Sequence, residues 1–160
     1  MLFILFFSFV FENATPEDFW INKGPNNSGG ARVINWISNN YILTGGTVGI
    51  AVTTNMGISW DRIFSSPSEI SCIARNDTNG TLFMCYYYGY VQNSGLYRSY
   101  NNGYSWSLSG LYSTTGKRIL DVKVKGNGII FCASKDIDYP GGSGGVDRST
   151  DNGNTWTSVL

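Results

Sequence analysis

The chain has 160 residues, 42% of them apolar, 14% charged and 20 of them glycine, long enough for a sizeable core yet poor in helix formers. Eleven basic and eleven acidic residues cancel, which excludes the basic face that would mark a nucleic-acid or anionic-membrane partner. Histidine is absent, removing the usual general base of Ser and Cys nucleophile sites and the commonest metal ligand, so neither a metal nor a cofactor is expected.

The chain opens on an unbroken apolar run, Met1 to Phe11 (MLFILFFSFVF). It is too short to cross a bilayer as a helix and fits the hydrophobic region of a signal peptide, here residues 1–14 with cleavage after Ala14. No Lys or Arg precedes the run and Glu12 occupies a position where a small residue is usual, so a buried strand is the competing reading. Asn-x-Ser/Thr patterns at Asn13, Asn26, Asn76 and Asn79 are compatible with a secreted, glycosylated protein. Glu17 to Lys23 is a short strand candidate ending at Gly24-Pro25, and Asn26 to Gly30 reads as a loop.

Residues 15–160 then carry three units, about 31–66, 69–110 and 118–160, each with four strand candidates. In the first, Arg32 to Ser38 and Tyr41 to Thr44 flank Asn39-Asn40, and Gly49 to Thr53 precedes Ser59 to Phe64. The second runs Glu69 to Arg75, Thr81 to Tyr88, Gly95 to Ser99 and Tyr104 to Leu108; the third runs Arg118 to Lys125, Ile129 to Ser134, Gly145 to Ser149 and Asn154 to Leu160. The second strands, Leu82 to Tyr86 and Ile129 to Ala133, are continuously apolar, as expected where a sheet is packed on both faces. An all-β fold is predicted.

Between the third and fourth strand of each unit stands one octapeptide: Thr53 to Trp60 (TTNMGISW), Ser99 to Trp106 (SYNNGYSW) and Ser149 to Trp156 (STDNGNTW). The tryptophans are 46 and 50 residues apart, within the period range of propeller blades and solenoid units. An Asx side chain accepts from backbone N–H groups ahead of it, a glycine two positions on supplies positive φ, and the Trp brings apolar surface to bury. All three are therefore expected to be structural turns, with Trp60, Trp106 and Trp156 buried at equivalent positions.

The pattern S/T-x-D/N-x-G-x-S/T-W resembles the Asp-box, or BNR repeat, of sialidases, xyloglucan hydrolases, sortilin-type receptors and photosystem assembly factors. The matching residues are Asn55, Gly57 and Trp60; Asn101, Gly103 and Trp106; Asp151, Gly153 and Trp156. Only the third copy keeps the family's Asp. Trp20, Gly24, Pro25, Gly29 and Gly30 resemble the usual lead-in to the first blade. The resemblance implies a β-propeller of four-stranded antiparallel blades. Closed propellers have about four to eight blades, so three imply either a larger protein with further blades or a homodimer that closes the ring.

In such a blade the third-to-fourth turns lie on one face of the disc and the second-to-third loops on the other. The latter loop is short in the first unit (Gly45 to Val48) and expanded in the second (Tyr87 to Ser94) and third (Lys135 to Gly144). The expansions hold Tyr87, Tyr88, Tyr90, Gln92 and Asn93, then Asp136, Asp138 and Tyr139. Rings that stack on sugar C–H faces, beside carboxylates that accept hydroxyls, suit a glycan; solvated loops with Tyr stems in the core are the alternative. Tyr88, Tyr90, Asp136, Asp138 and Tyr139 are the candidate ligand-binding residues, rimmed by Ser65 to Ser68 and Leu111 to Lys117.

Catalytic residues are not assigned. The sialidase Phe-Arg-Ile-Pro-like motif is missing, and Arg98 and Arg148 occupy equivalent repeat positions, which favours a structural role. The xyloglucan hydrolases' Thr-Asp-x-Gly-Gly stretch corresponds to Thr44-Gly45-Gly46-Thr47-Val48-Gly49, which has no carboxylate. The expected function is a secreted binding module for glycan or protein, against a glycoside hydrolase fragment or an assembly propeller. Of the three cysteines, Cys72 and Cys85 sit about equally far from the turn at Asn76 to Gly80; they are either disulfide partners or, like Cys132, small buried apolar residues.

Overall fold

The computed structural model describes residues 30–87, 95–112, 117–136 and 144–160. They form three four-stranded antiparallel sheets, each a meander in chain order, and the described residues contain no helix. The first sheet is β1 (Ala31–Trp36), β2 (Ile42–Gly46), β3 (Gly49–Thr53) and β4 (Asp61–Ser65). The second is β5 (Glu69–Arg75), β6 (Leu82–Tyr87), β7 (Gly95–Ser99) and β8 (Ser107–Tyr112). The third is β9 (Lys117–Val124), β10 (Ile130–Asp136), β11 (Gly144–Ser149) and β12 (Thr157–Ser158). The first strands β1, β5 and β9 lie side by side, so the sheets are stacked in sequence with the second in the middle.

Register is the same in all three. Ile42 pairs with Thr53, Leu82 with Ser99 and Ile130 with Ser149, so each second strand begins opposite the first residue of its octapeptide. Successive side chains of a strand point to opposite faces, and β6 shows the result. Leu82 and Met84 join Leu43, Ile50, Val52, Ile70 and Ile73 in the seam with the first sheet. Phe83 and Cys85 join Ile119, Val122, Ile130 and Cys132 in the seam with the third. The continuously apolar β6 is thus buried from both sides, and Phe83 alone, wholly buried, contributes on the order of 2–3 kcal/mol.

Cys72 and Cys85 are opposite one another in β5 and β6 with Cα atoms 5.2 Å apart, and are disulfide-linked. Cys132 is free and buried, and burial pushes its thiol up to about 12.

Three expectations change. The fourth strands begin at Asp61, Ser107 and Thr157, after each Trp rather than before it, because the turn's own bonds extend to the residue preceding the Trp; Ser59 N–H, for example, donates to Asn55 Oδ1 at 3.0 Å. The three Trp side chains are half-buried rather than buried. Trp106 and Trp156 pack along the margins of the two seams and donate their indole N–H to the carbonyls of Gly103 and Gly153, at 2.9 and 3.1 Å. Asn76, read as a glycosylation pattern, is 2% exposed, and its Nδ2 donates across the seam to Asn152 Oδ1 at 3.1 Å. A glycan on that nitrogen is incompatible with the seam. Asn79 is exposed, while Asn13 and Asn26 lie outside the described residues.

Candidate functional site

The sheets have two ends of different chemistry. At one end are the three octapeptide turns, which are built alike. In each, the first hydroxyl accepts from the glycine N–H at 2.9 Å: Gly57 to Thr53, Gly103 to Ser99 and Gly153 to Ser149. It also donates to the Asx oxygen, at 2.8 Å to Asn55, 2.9 Å to Asn101 and 2.8 Å to Asp151. The residue before the glycine is left-handed in every copy, Met56 at φ 58°, Asn102 at 56° and Asn152 at 59°.

The turns differ in one polarity. Asn55 and Asn101 donate Nδ2 to the hydroxyls of Ser59 and Ser105, both at 2.9 Å. Asp151 has no proton to give and instead accepts the Thr155 hydroxyl at 2.6 Å. That bond, reinforced by the Thr155 N–H and the Ser149 hydroxyl, holds the Asp151 carboxyl at about 2. The Asx and Ser/Thr groups are committed to the turns themselves, as their sequence pattern predicts. Arg98 is structural too: its Nη1 reaches the third sheet's turn at Asn152 O (3.3 Å) and Asn154 Oδ1 (2.6 Å).

At the other end lie the second-to-third connections and the passages between sheets. In the first sheet this end is tied down. Gly30 and Thr47 exchange bonds, Gly30 N–H to Thr47 Oγ1 and Thr47 N–H to Gly30 O, both 3.2 Å, and Ser66 N–H donates to Val48 O at 3.3 Å. Arg32 of β1 pairs with Glu69 at the start of β5, a link between units that no local pattern signals and that the sequence reading missed. The Gly-rich stretch here is explained by close packing, since a Cβ on Gly45 would stand 2.8 Å from Ile70 Cγ2 and 3.0 Å from Ile73 Cδ1.

Of the candidate ligand residues, Asp136 ends β10, its backbone beside Lys117. Tyr88, Tyr90, Asp138 and Tyr139 lie outside the described residues, so the five are not brought together by what is described. What is described is where their loops begin and end. The first leaves β6 at Tyr87, beside Glu69, and rejoins at Gly95; the second leaves β10 at Asp136 and rejoins at Gly144, both at the end opposite the octapeptides. Of the expected rim, Ser68 N–H donates to Ser66 Oγ at 3.3 Å; residues 113–116 are not described. No helix among the described residues is long and apolar enough to cross a membrane.

No protein-family model and no curated protein sequence matches the chain. Solved structures do. The GH74 xyloglucanase from Xanthomonas campestris is 16% identical and superposes with a TM-score of 0.65 over 82% of this chain and 21% of its own. The Niastella koreensis GH74 enzyme, 16% identical, gives 0.62 over 76% of this chain and 19% of its own. YCF48 bound to D1 peptide, 16% identical, gives 0.57 over 81% of this chain and 39% of its own. At such identity the likeness is one of fold. The chain is an all-β segment of three four-stranded propeller blades, spanning about a fifth of each GH74 enzyme.

Proposed function

We propose that the chain is an Asp-box propeller segment that acts, after secretion, as a binding module, and that it takes a glycan or protein ligand on the end that carries the expanded loops. The observation that carries this reading is the contrast between the two ends. The octapeptide turns commit their Asx and hydroxyl groups internally, whereas the loops between Tyr87 and Gly95 and between Asp136 and Gly144 are free of repeat constraint and concentrate Tyr and Asp. Sequence variation on a fixed scaffold is where binding specificity resides. Tyr88, Tyr90 and Tyr139 would stack on sugar faces and Asp136 and Asp138 would accept hydroxyls.

A glycan array probed with the chain tests this, followed by titration of the best glycan against a Tyr90→Ala, Tyr139→Ala double variant. The expected result is loss of binding with an unchanged melting temperature. No glycan bound, or equal binding by the double variant, defeats the glycan reading. The peptide in the YCF48 neighbour supports a protein ligand as the variant of the same proposal, read out on a peptide array. The GH74 neighbours support a second reading, a glycoside hydrolase fragment, although the stretch Thr44 to Gly49 carries no carboxylate; turnover of a fluorogenic glycoside would establish it.

A further inference from the structure

Both internal seams are closed by one kind of joint. Leu43 of the first sheet sits over Gly103 in the second sheet's turn, where a Cβ would stand 2.9 Å from Leu43 Cδ1 and 3.4 Å from Ile63 Cδ1. Phe83 of the second sheet sits over Gly153 in the third sheet's turn, where a Cβ would stand 3.0 Å from Phe83 Cε1. Each joint has a polar strut to the left-handed residue of the turn: Tyr41 OH donates to Asn102 O at 3.1 Å, and Arg98 Nη1 to Asn152 O at 3.3 Å.

Leu43 and Phe83 occupy the same register, one residue beyond the one that opposes the start of the octapeptide. The third residue in that register is Phe131. Its neighbours Ile130 and Cys132 face the second sheet, so Phe131 points from the opposite face, where it is 37% exposed. It is a knob without a described socket.

The matching socket is at the other limit of the stack. A Cβ on Gly57 would meet only its own Trp60, no closer than 3.9 Å. Met56 and Ile58 flank it, 57% and 71% exposed. The other turns have Asn102 and Tyr104, or Asn152 and Asn154, at these positions. The first turn is thus the most apolar of the three and the one without a described knob. Arg148, exposed and equivalent to Arg98, stands beside Phe131 in the adjoining strand.

We propose that these two faces mate between two copies of this chain. Phe131 of one copy seats on Gly57 between Met56 and Trp60 of the second, and Arg148 donates to the Met56 carbonyl. The occupant is a second copy because the two halves of the joint are present on one chain and reproduce the internal seam in both apolar and polar parts. Zero net charge opposes no such pairing. Two head-to-tail joints related by a two-fold axis cover both outer faces of the described sheets, and the six described sheets of two copies fall within the range of closed propellers, about four to eight.

Native mass spectrometry and light scattering on the full chain test the proposal. The wild type is expected to be a dimer, and Phe131→Asp and Met56→Asp each to raise its dissociation constant roughly 30-fold or more, as loss of a central anchor does. Mixing the two variants restores one intact joint, so a one-to-one heterodimer forms where neither variant alone dimerises. Circular dichroism confirms that both stay folded; should Phe131→Asp not, Arg148→Glu replaces it on the knob face, and should Met56→Asp not, Ile58→Asp replaces it on the socket face, each with the same expected loss of dimer. A wild type that remains monomeric at high concentration overturns the proposal. So does a dimer that is indifferent to these substitutions, or a mixture that stays monomeric.

Discussion

The joint between sheets makes a graded prediction for three chemically identical substitutions. Alanine at Gly57, Gly103 or Gly153 meets nearly the same backbone demand, since φ is +87°, +92° and +80°; an L-residue there costs about 1–2 kcal/mol. What differs is the space. At Gly57 the new methyl meets only Trp60 at 3.9 Å, so the backbone cost is the whole effect. At Gly103 it stands 2.9 Å from Leu43 Cδ1, the far end of a side chain that is also wholly buried but is aliphatic, with more rotamers open to it than a ring has. At Gly153 it stands 3.0 Å from Cε1 of Phe83, a wholly buried ring with little room to turn. Overpacking of that kind adds about 1–3 kcal/mol. Gly153→Ala should therefore cost about 2–5 kcal/mol in all, Gly103→Ala somewhat less and Gly57→Ala least. Urea unfolding in a Phe131→Asp background, where no second copy can occupy the first turn, measures the series. Equal losses at Gly57 and Gly153 would refute the joint.

Two further predictions concern single groups. Asp151 is held at about 2 by the Thr155 hydroxyl, below the unfolded carboxylate value of about 3.9. Its stabilising effect is therefore complete above the unfolded value and is lost as pH falls through the folded one. Asp151→Asn should flatten the melting-temperature profile between these limits, and an acid limb as steep as the wild type's would contradict the assignment. Reducing the Cys72–Cys85 disulfide, whose sequence separation is 13, should cost about 3 kcal/mol, the scale for a loop of that length. Thermal unfolding with and without reductant measures it; identical transitions would show the bridge is not a constraint.

The turns were legible because their chemistry is local. A hydroxyl, an Asx oxygen and a glycine must stand at fixed spacings to satisfy one another, so Asn55, Asn101 and Asp151 could be assigned before any geometry was seen. The seams were not legible in the same detail. In Leu82 to Tyr86 every residue is apolar, so the sequence cannot show that Phe83 faces one neighbour and Met84 the other; only the pairing with Ser99 settles it. Asn76 misled for the same reason, because the partner that buries it, Asn152, belongs to another sheet. Arg32 and Glu69 likewise meet only through the stacking of β1 on β5. The proposed ligand residues Tyr88, Tyr90, Asp138 and Tyr139 rest on loop composition alone, since they lie outside the described residues.

In the proposed function, ligand is held at the expanded-loop end and the octapeptide end is structural. Amide hydrogen exchange with and without the best-bound array glycan tests it most directly. Protection gained across residues 87–95 and 135–144, with exchange unchanged across residues 53–60, 99–106 and 149–156, is the predicted result. Protection confined to the three turns would contradict the claim and place the binding surface on the opposite end of the sheets.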